Sequence, residues 1–322
     1  MSRDLDAALE RKRSGDLDGA LIALESFLAG NPSHSPALAH LADVQVRRGR
    51  RAEAADALDR AEAVAGTTAF TARVRGDLLA GQERWEEAAR SYADAVALGE
   101  KGWWAPVRLA SCRLSAGDVE GAKGAALRAV EAHPAASGGW IVLGDVATRE
   151  GDLDGAEAMY QRAHDEAPGD QWAYAKLVEA RLAKLPPDRR EREVKVLLKT
   201  AGRDNRYLLG VLARLRREAG DDEAAAEVWG EAARTGAPSA RRQHGYALRR
   251  AGKLDEAAAV LGACLVEQPD DVILFKTYVG LQQKRGDHAG LRSTLEAALP
   301  RAGAGRKGAF HAALKKIPEG RK

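Results

Sequence analysis

Residues 140–168 read WIVLGDVATREGDLDGAEAMYQRAHDEAP. Trp140, Leu143, Gly144 and Ala147 fall at helical spacing, so a helix over this stretch gathers them on one face. That face sets a large apolar residue beside one with no side chain, and a second helix can come close against it. Gly151-Asp152 breaks the first helix, Ala156, Tyr160 and Ala163 form the stripe of the second, and Pro168 stops it. Such a pair cannot bury its apolar faces alone, so the chain on either side has to supply neighbours.

The neighbours emerge by subtraction. Ala20, Ala54, Ala88, Ala122 and Ala156 each stand 34 residues from the last. The terminators Pro32, Gly66, Glu100, Pro134 and Pro168 keep the same step. So do the turn positions Gly15, Gly49, Glu83, Gly117 and Gly151, with one glycine replaced.

Over nearly its whole length the chain therefore resembles the tetratricopeptide-repeat family. Trp140, Leu143, Gly144, Ala156, Tyr160 and Pro168 follow that family's W-x2-L-G, A-x3-aromatic and closing-proline pattern. The resemblance implies an all-α fold, a right-handed superhelical solenoid of about nine helix-turn-helix repeats with a C-terminal capping helix. It implies a binding surface without naming what is bound, because one fold hosts many functions.

Read in order, residues 1–170 hold five regular repeats. The fourth opens with Trp103-Trp104, adjacent residues that cannot both face one packing groove, so one belongs to the core and the other to the surface or the binding groove. Residues 171–205 form an irregular sixth repeat, in which Leu185-Pro186-Pro187 replaces the Gly-Asp turn and the second helix is predicted to start near Asp188. Residues 206–300 hold three further repeats, the first of them ending at about Gly236, and residues 301–322 hold a capping helix, with Phe310, Ala313, Leu314 and Ile317 as its apolar pattern, and a basic tail.

Of the 322 residues, 45% are hydrophobic and 30% charged, which suits helices with one wet face. The net charge of +3 is uneven: residues 1–205 carry 29 basic against 33 acidic side chains, residues 206–322 carry 21 against 14. Cys112 and Cys264 occupy positions where small apolar residues belong, and no C-x-x-C pair suggests zinc or a dithiol. The opening MSRDLDAALERKRSGD has no apolar leader, and no run is long enough to span a membrane, so the expectation is a cytoplasmic protein. The richness in alanine, arginine and glycine suggests a bacterial source.

No catalytic motif, phosphate loop or metal-ligand spacing stands out, and the expectation is a non-enzyme without cofactor or metal. The GDLDGA runs at Gly15 and Gly151 superficially resemble a calcium loop, but they lack its final glutamate and fall at repeat turns.

In the family the first helix of each repeat lines a concave groove. Carried over by resemblance, the N-terminal groove holds Asp43, Asp77, Asp145 and Glu179 in register, with Phe70, Trp104 and Trp172 beside them. The C-terminal groove holds Arg214, Arg217, Arg242, Arg249, Arg250, Lys276 and Lys284, with Tyr207 and Tyr246 interleaved. Guanidinium groups fork onto carboxylates or phosphates, and aromatic rings offer rigid contact area. The leading reading is a protein-interaction scaffold or adaptor whose groove binds a peptide or partner segment, acidic in the C-terminal half. A solvated face, partly neutralised by Glu218, Asp221, Asp222 and Asp255, is the plain alternative. Two other classes stay open: an accessory subunit of an enzyme or secretion assembly, and nucleic-acid binding through the basic groove. The second is opposed by a net charge of only +1 over residues 206–300. Self-association through the end repeats also stays open.

Overall fold

The computed structural model describes residues 3–100, 102–202, 205–234 and 238–318, and these form helices with no strand among them. The chain divides into two units, Met1–Lys184 and Leu185–Lys322. The first begins with the pairs α1 (Arg3–Arg13) with α2 (Leu17–Gly30), and α3 (Ser35–Arg47) with α4 (Arg51–Ala65). It continues with α5 (Ala69–Ala80) and α6 (Trp85–Ala97), then α7 (Trp104–Ser115) and α8 (Val119–Ala132). The pair α9 (Ser137–Glu150) and α10 (Leu153–Glu166) follows, and α11 (Gln171–Ala183) closes the unit. Each second helix packs on its own first helix and on the next one, and first helices also touch along the array, α3 on α5, α7 on α9 and α9 on α11.

The periodic alanines explain this packing. Ala20, Ala54, Ala88, Ala122 and Ala156 are all 0% exposed, at points where two helix axes approach too closely for a larger side chain. The close approach is tightest where glycine faces tyrosine: a Cβ added at Gly144 would lie 2.4 Å from the Tyr160 ring. Asp16, Asp118 and Asp152 cap α2, α8 and α10, each carboxylate accepting from the backbone N–H three residues on. The two calcium-like runs are thus helix starts whose first aspartate satisfies the backbone.

The replaced turn glycine carries a cost. Gly15, Gly49, Gly117 and Gly151 have φ between +73° and +87°, and Glu83 is held at φ +61° in the same left-handed region. A Cβ there costs about 1 kcal/mol. Glu83→Gly is therefore expected to raise the urea midpoint of the N-terminal unit; an unchanged or lower midpoint would show that the turn is not strained.

The second unit starts with α12 (Pro187–Ala201), where proline is tolerated because a first-turn amide needs no partner. Then come α13 (Arg206–Glu218), α14 (Asp222–Arg234), α15 (Pro238–Arg250) and α16 (Leu254–Glu267). The unit ends with α17 (Val272–Arg285), α18 (His288–Ala298), a 3₁₀ turn at Leu299–Arg301 and α19 (Ala304–Lys315). Neighbours in this order pack on one another from α12 to α18, and α19 lies on α18. The two helices of the 171–205 stretch fall in different units.

In α19, Phe310 is completely buried and Ile317 just beyond it is 6% exposed, so the amphipathic pattern read from the sequence does face the core. Gly236 and residues 319–322, the end of the basic tail, lie outside the described residues. Cys112 and Cys264 are buried free thiols, and burial pushes Cys112 up to about 11, which leaves it inert at neutral pH.

Candidate functional site

The N-terminal unit holds two clefts built to one plan. The first, of about 650 Å³, lies between α3, α5 and α7 with α6 as its floor. Asp43, only 2% exposed, sits at one side of it. Lys12 donates to its carboxylate at 2.8 Å and Arg73 at 3.3 Å, and Arg47 lies 3.4 Å away. Burial pushes the Asp43 carboxyl up, but the cations Lys12 and Arg73 outweigh it and hold the group below its ordinary range. The Arg73 guanidinium is clamped between the rings of Phe70 at 4.5 Å and Trp104 at 5.1 Å. It also donates to Asp77 at 2.8 Å, and the buried Tyr92 hydroxyl donates to Asp77 at 2.6 Å. Lys12 reaches His40 Nδ1 at 3.0 Å, and burial with that cation alongside pushes His40 down to about 4, so the ring is neutral at pH 7.

The second cleft, of about 640 Å³, lies between α7, α9 and α11 over α10. Here the buried Tyr160 hydroxyl donates to Asp145 at 2.7 Å and Lys176 donates to the same oxygen at 2.8 Å. Asp145, Tyr160, Trp172 and Lys176 each stand 68 residues on from Asp77, Tyr92, Trp104 and Arg108. At the step between, Ser111 and Ala126 replace the aspartate and tyrosine, so α7 is a wall shared by two equivalent sites.

These contacts change what the N-terminal groove presents. Asp43, Asp77 and Asp145 are in register, but internal cations and tyrosine hydroxyls take up their charge. Glu179 remains exposed in the second cleft. Arg108 and Arg149 are exposed in the first and second clefts respectively, with no carboxylate at ion-pairing distance among the described residues. The aromatic expectations divide as follows. Trp104 is half-buried and lines the first cleft, Trp103 beside it is 45% exposed, and Trp172 is 60% exposed with Lys176 Nζ 5.2 Å from its ring centre.

In the C-terminal unit the predicted basic residues sort into two groups. Arg242 is ion-paired with Asp271, and Arg214 lies 3.9 Å from Glu218. Tyr246 is half-buried against the core, and Tyr207 is half-buried at the start of α13. Arg217, Arg249, Arg250, Lys276 and Lys284 are exposed, and none has a carboxylate at ion-pairing distance among the described residues. Arg217, Arg249 and Arg250 end the neighbouring first helices α13 and α15. Partial burial, then Arg217 and Arg249, disfavour the charge on Arg250, and Asp222 favours it.

Sequence reasoning missed Arg108, Arg149 and the two tyrosine–aspartate bonds. The signal was present as the 68-residue recurrence of Asp, Tyr, Trp and a cation. Among the described residues there is no group of three His, Cys, Asp or Glu side chains able to hold a metal ion, and no helix long and apolar enough to cross a membrane.

Family models described as tetratricopeptide repeat match residues 13–70 and 107–171. A tetratricopeptide repeat protein from Parabacteroides merdae is 16% identical, with 73% of this chain covering 92% of that one at a TM-score of 0.57. TTC0263, a thermophilic protein of the same repeat class from Thermus thermophilus, is 20% identical over 56% of this chain and 97% of its own, at a TM-score of 0.47. No curated protein sequence matches the chain. The 34-residue period, the helix pairs that realise it and the two family matches place this chain in the tetratricopeptide-repeat family.

Proposed function

We propose that the protein is a non-catalytic interaction scaffold that holds an acidic segment of a partner protein on the first helices of its C-terminal unit. The observation that carries this reading is the group Arg217, Arg249 and Arg250, three exposed guanidinium groups at the ends of α13 and α15 with no carboxylate at ion-pairing distance among the described residues. The last turn of a helix favours cations, which offsets part of their mutual repulsion. A partner's carboxylates would relieve the rest through charge-assisted, forked hydrogen bonds. The helices are already formed, so little ordering entropy opposes binding.

The test is a pull-down from native lysate with mass spectrometry, using wild type and Arg249→Glu/Arg250→Glu of matching helicity. A protein partner held by wild type and about tenfold or more depleted with the variant is the expected result. The same partner retained by the variant overturns the proposal. Nucleic acid in the eluate, released by nuclease, would also overturn it and would favour a polyanion-binding role with steep salt dependence.

A further inference from the structure

We infer that the two adjoining clefts of the N-terminal unit together grip one extended acidic segment through two carboxylates at once, one at Arg108 in the first and one at Arg149, which stands where the first cleft has Gly81, in the second. This inference is independent of the reading given for the C-terminal unit.

The duplication is geometric as well as sequential. In each cleft a buried tyrosine hydroxyl fixes an aspartate, Tyr92 to Asp77 at 2.6 Å and Tyr160 to Asp145 at 2.7 Å. A tryptophan with a cation four residues on recurs in both copies, Trp104 with Arg108 and Trp172 with Lys176; Trp104 lines the first cleft, whereas Trp172 is 60% exposed beside the second. The clefts share α7, whose Trp104 and Arg108 line the first and whose Leu114 and Ser115 line the second. A single polypeptide can therefore pass from one to the other across that helix.

Charge decides the occupant. The aspartates are already neutralised by Lys12, Arg73 and Lys176, so they do not repel an acidic ligand at full strength. Arg108 and Arg149 have no such partner among the described residues and face the clefts. Glu179, an exposed acid of the second cleft, narrows that subsite to a ligand whose carboxylate reaches Arg149 rather than α11. A nucleic-acid strand carries a charge roughly every 3.4 Å and wants a continuous basic track. Two guanidinium groups separated by Asp77, Asp145 and Glu179 do not offer one. They do suit two discrete side-chain carboxylates on a protein segment.

The spacing follows from helix geometry. Neighbouring first helices lie about 8–10 Å apart, and Arg149 sits about seven residues further along α9 than Arg108 does along α7, or roughly 10 Å. The two groups are thus separated by about 15 Å, which about four or five extended residues span. Binding the first carboxylate then presents the second at high effective concentration.

The test uses the full chain and amidated, fluorescein-labelled Gly/Ser peptides carrying either one glutamate or two at separations from two to ten residues. Fluorescence anisotropy is expected to show the four- or five-residue spacing binding at least about tenfold more tightly than the single-glutamate peptide. Arg108→Gln and Arg149→Gln, both at exposed positions, should each reduce the two-glutamate peptide to the single-glutamate level, and the double variant should add little. Arg128→Gln, at an exposed position of α8 that lines neither cleft, should leave this binding unchanged. Affinity that ignores the spacing, or that is undetectable, overturns the inference. So does binding that survives either single variant, is lost with Arg128→Gln, or is displaced equally well by an oligothymidylate.

Discussion

Replacing Asp43 by alanine is expected to cost the N-terminal unit about 3–5 kcal/mol, because it strands buried cations. Its carboxylate is 3% exposed, and the Lys12 and Arg73 side chains that point at it are each 11% exposed. Without Asp43, among the described residues Lys12 keeps only the neutral His40 ring and Arg73 only Asp77 as polar side-chain partners. Lys12→Met should cost less, since Asp43 retains Arg73 and the methionine stem fills similar space. The pH dependence follows by linkage. The Asp43 carboxyl is held below its ordinary value, so its contribution is present above the unfolded pKa and is lost only as pH falls through the lower folded one. His40, pushed down to about 4, contributes stability that is whole above its unfolded value of 6.5 and is lost as pH falls toward 4. Urea unfolding by tryptophan fluorescence reads this unit well, since Trp85, Trp103, Trp104, Trp140 and Trp172 all lie in it. A loss under about 1 kcal/mol for Asp43→Ala would mean that the network is solvated and does not hold α1, α3 and α5 together.

The second large effect is expected at the other end of the chain. Phe310→Ala should destabilise the C-terminal unit by about 3–5 kcal/mol, through lost burial and the cavity left behind. Phe310 is 0% exposed, its ring centre lies 4.8 Å from that of Phe275, and Arg306 stacks over Phe275 from the same helix at 5.1 Å. Phe310 is the largest fully buried side chain by which α19 joins this core, with Ile317 beside it and Ala309, Ala313 and Leu314 half-buried around it. Hydrogen exchange is the suitable measurement, because solenoid stability is built from neighbour-to-neighbour interfaces and can be lost locally. Amide protection should fall across α17 to α19 and stay unchanged in the N-terminal unit. Unaltered protection in α17 and α18 would show that the end helix is an ornament rather than a cap.

The sequence was most informative where structure depends on local geometry and on the next helix along. The 34-residue alanines are fully buried between helices, the glycines read as turn positions do end helices, with a left-handed backbone, and α12 starts at Pro187, one residue from its predicted position. These features follow from helical periodicity, from the fixed φ of proline and from the missing Cβ of glycine, all of which act within one or two helices. The expectation that one of Trp103-Trp104 belongs to the core is not met: Trp103, just ahead of α7, is 45% exposed, and Trp104 is half-buried and lines the first cleft.

The character of the binding surface was not legible in that way. Asp43, Asp77 and Asp145 share a register and read as an acidic groove, yet each is answered by a cation thirty or so residues away, or by one on its own helix: Lys12 and Arg73 for Asp43, Arg73 for Asp77, Lys176 for Asp145. Register tells which positions face the groove and leaves open which side chains meet there. The sequence by itself determined the helix pairs, their period and the buried alanine seams, because those depend on spacing along the chain. Only the tertiary structure decided that the aspartates are spent internally, that Arg108, Arg149, Arg217, Arg249 and Arg250 keep their charge toward solvent, and that the units divide after Lys184. Ion pairing and burial depend on distances in space between side chains of different helices, and those distances exist only once the helices have packed.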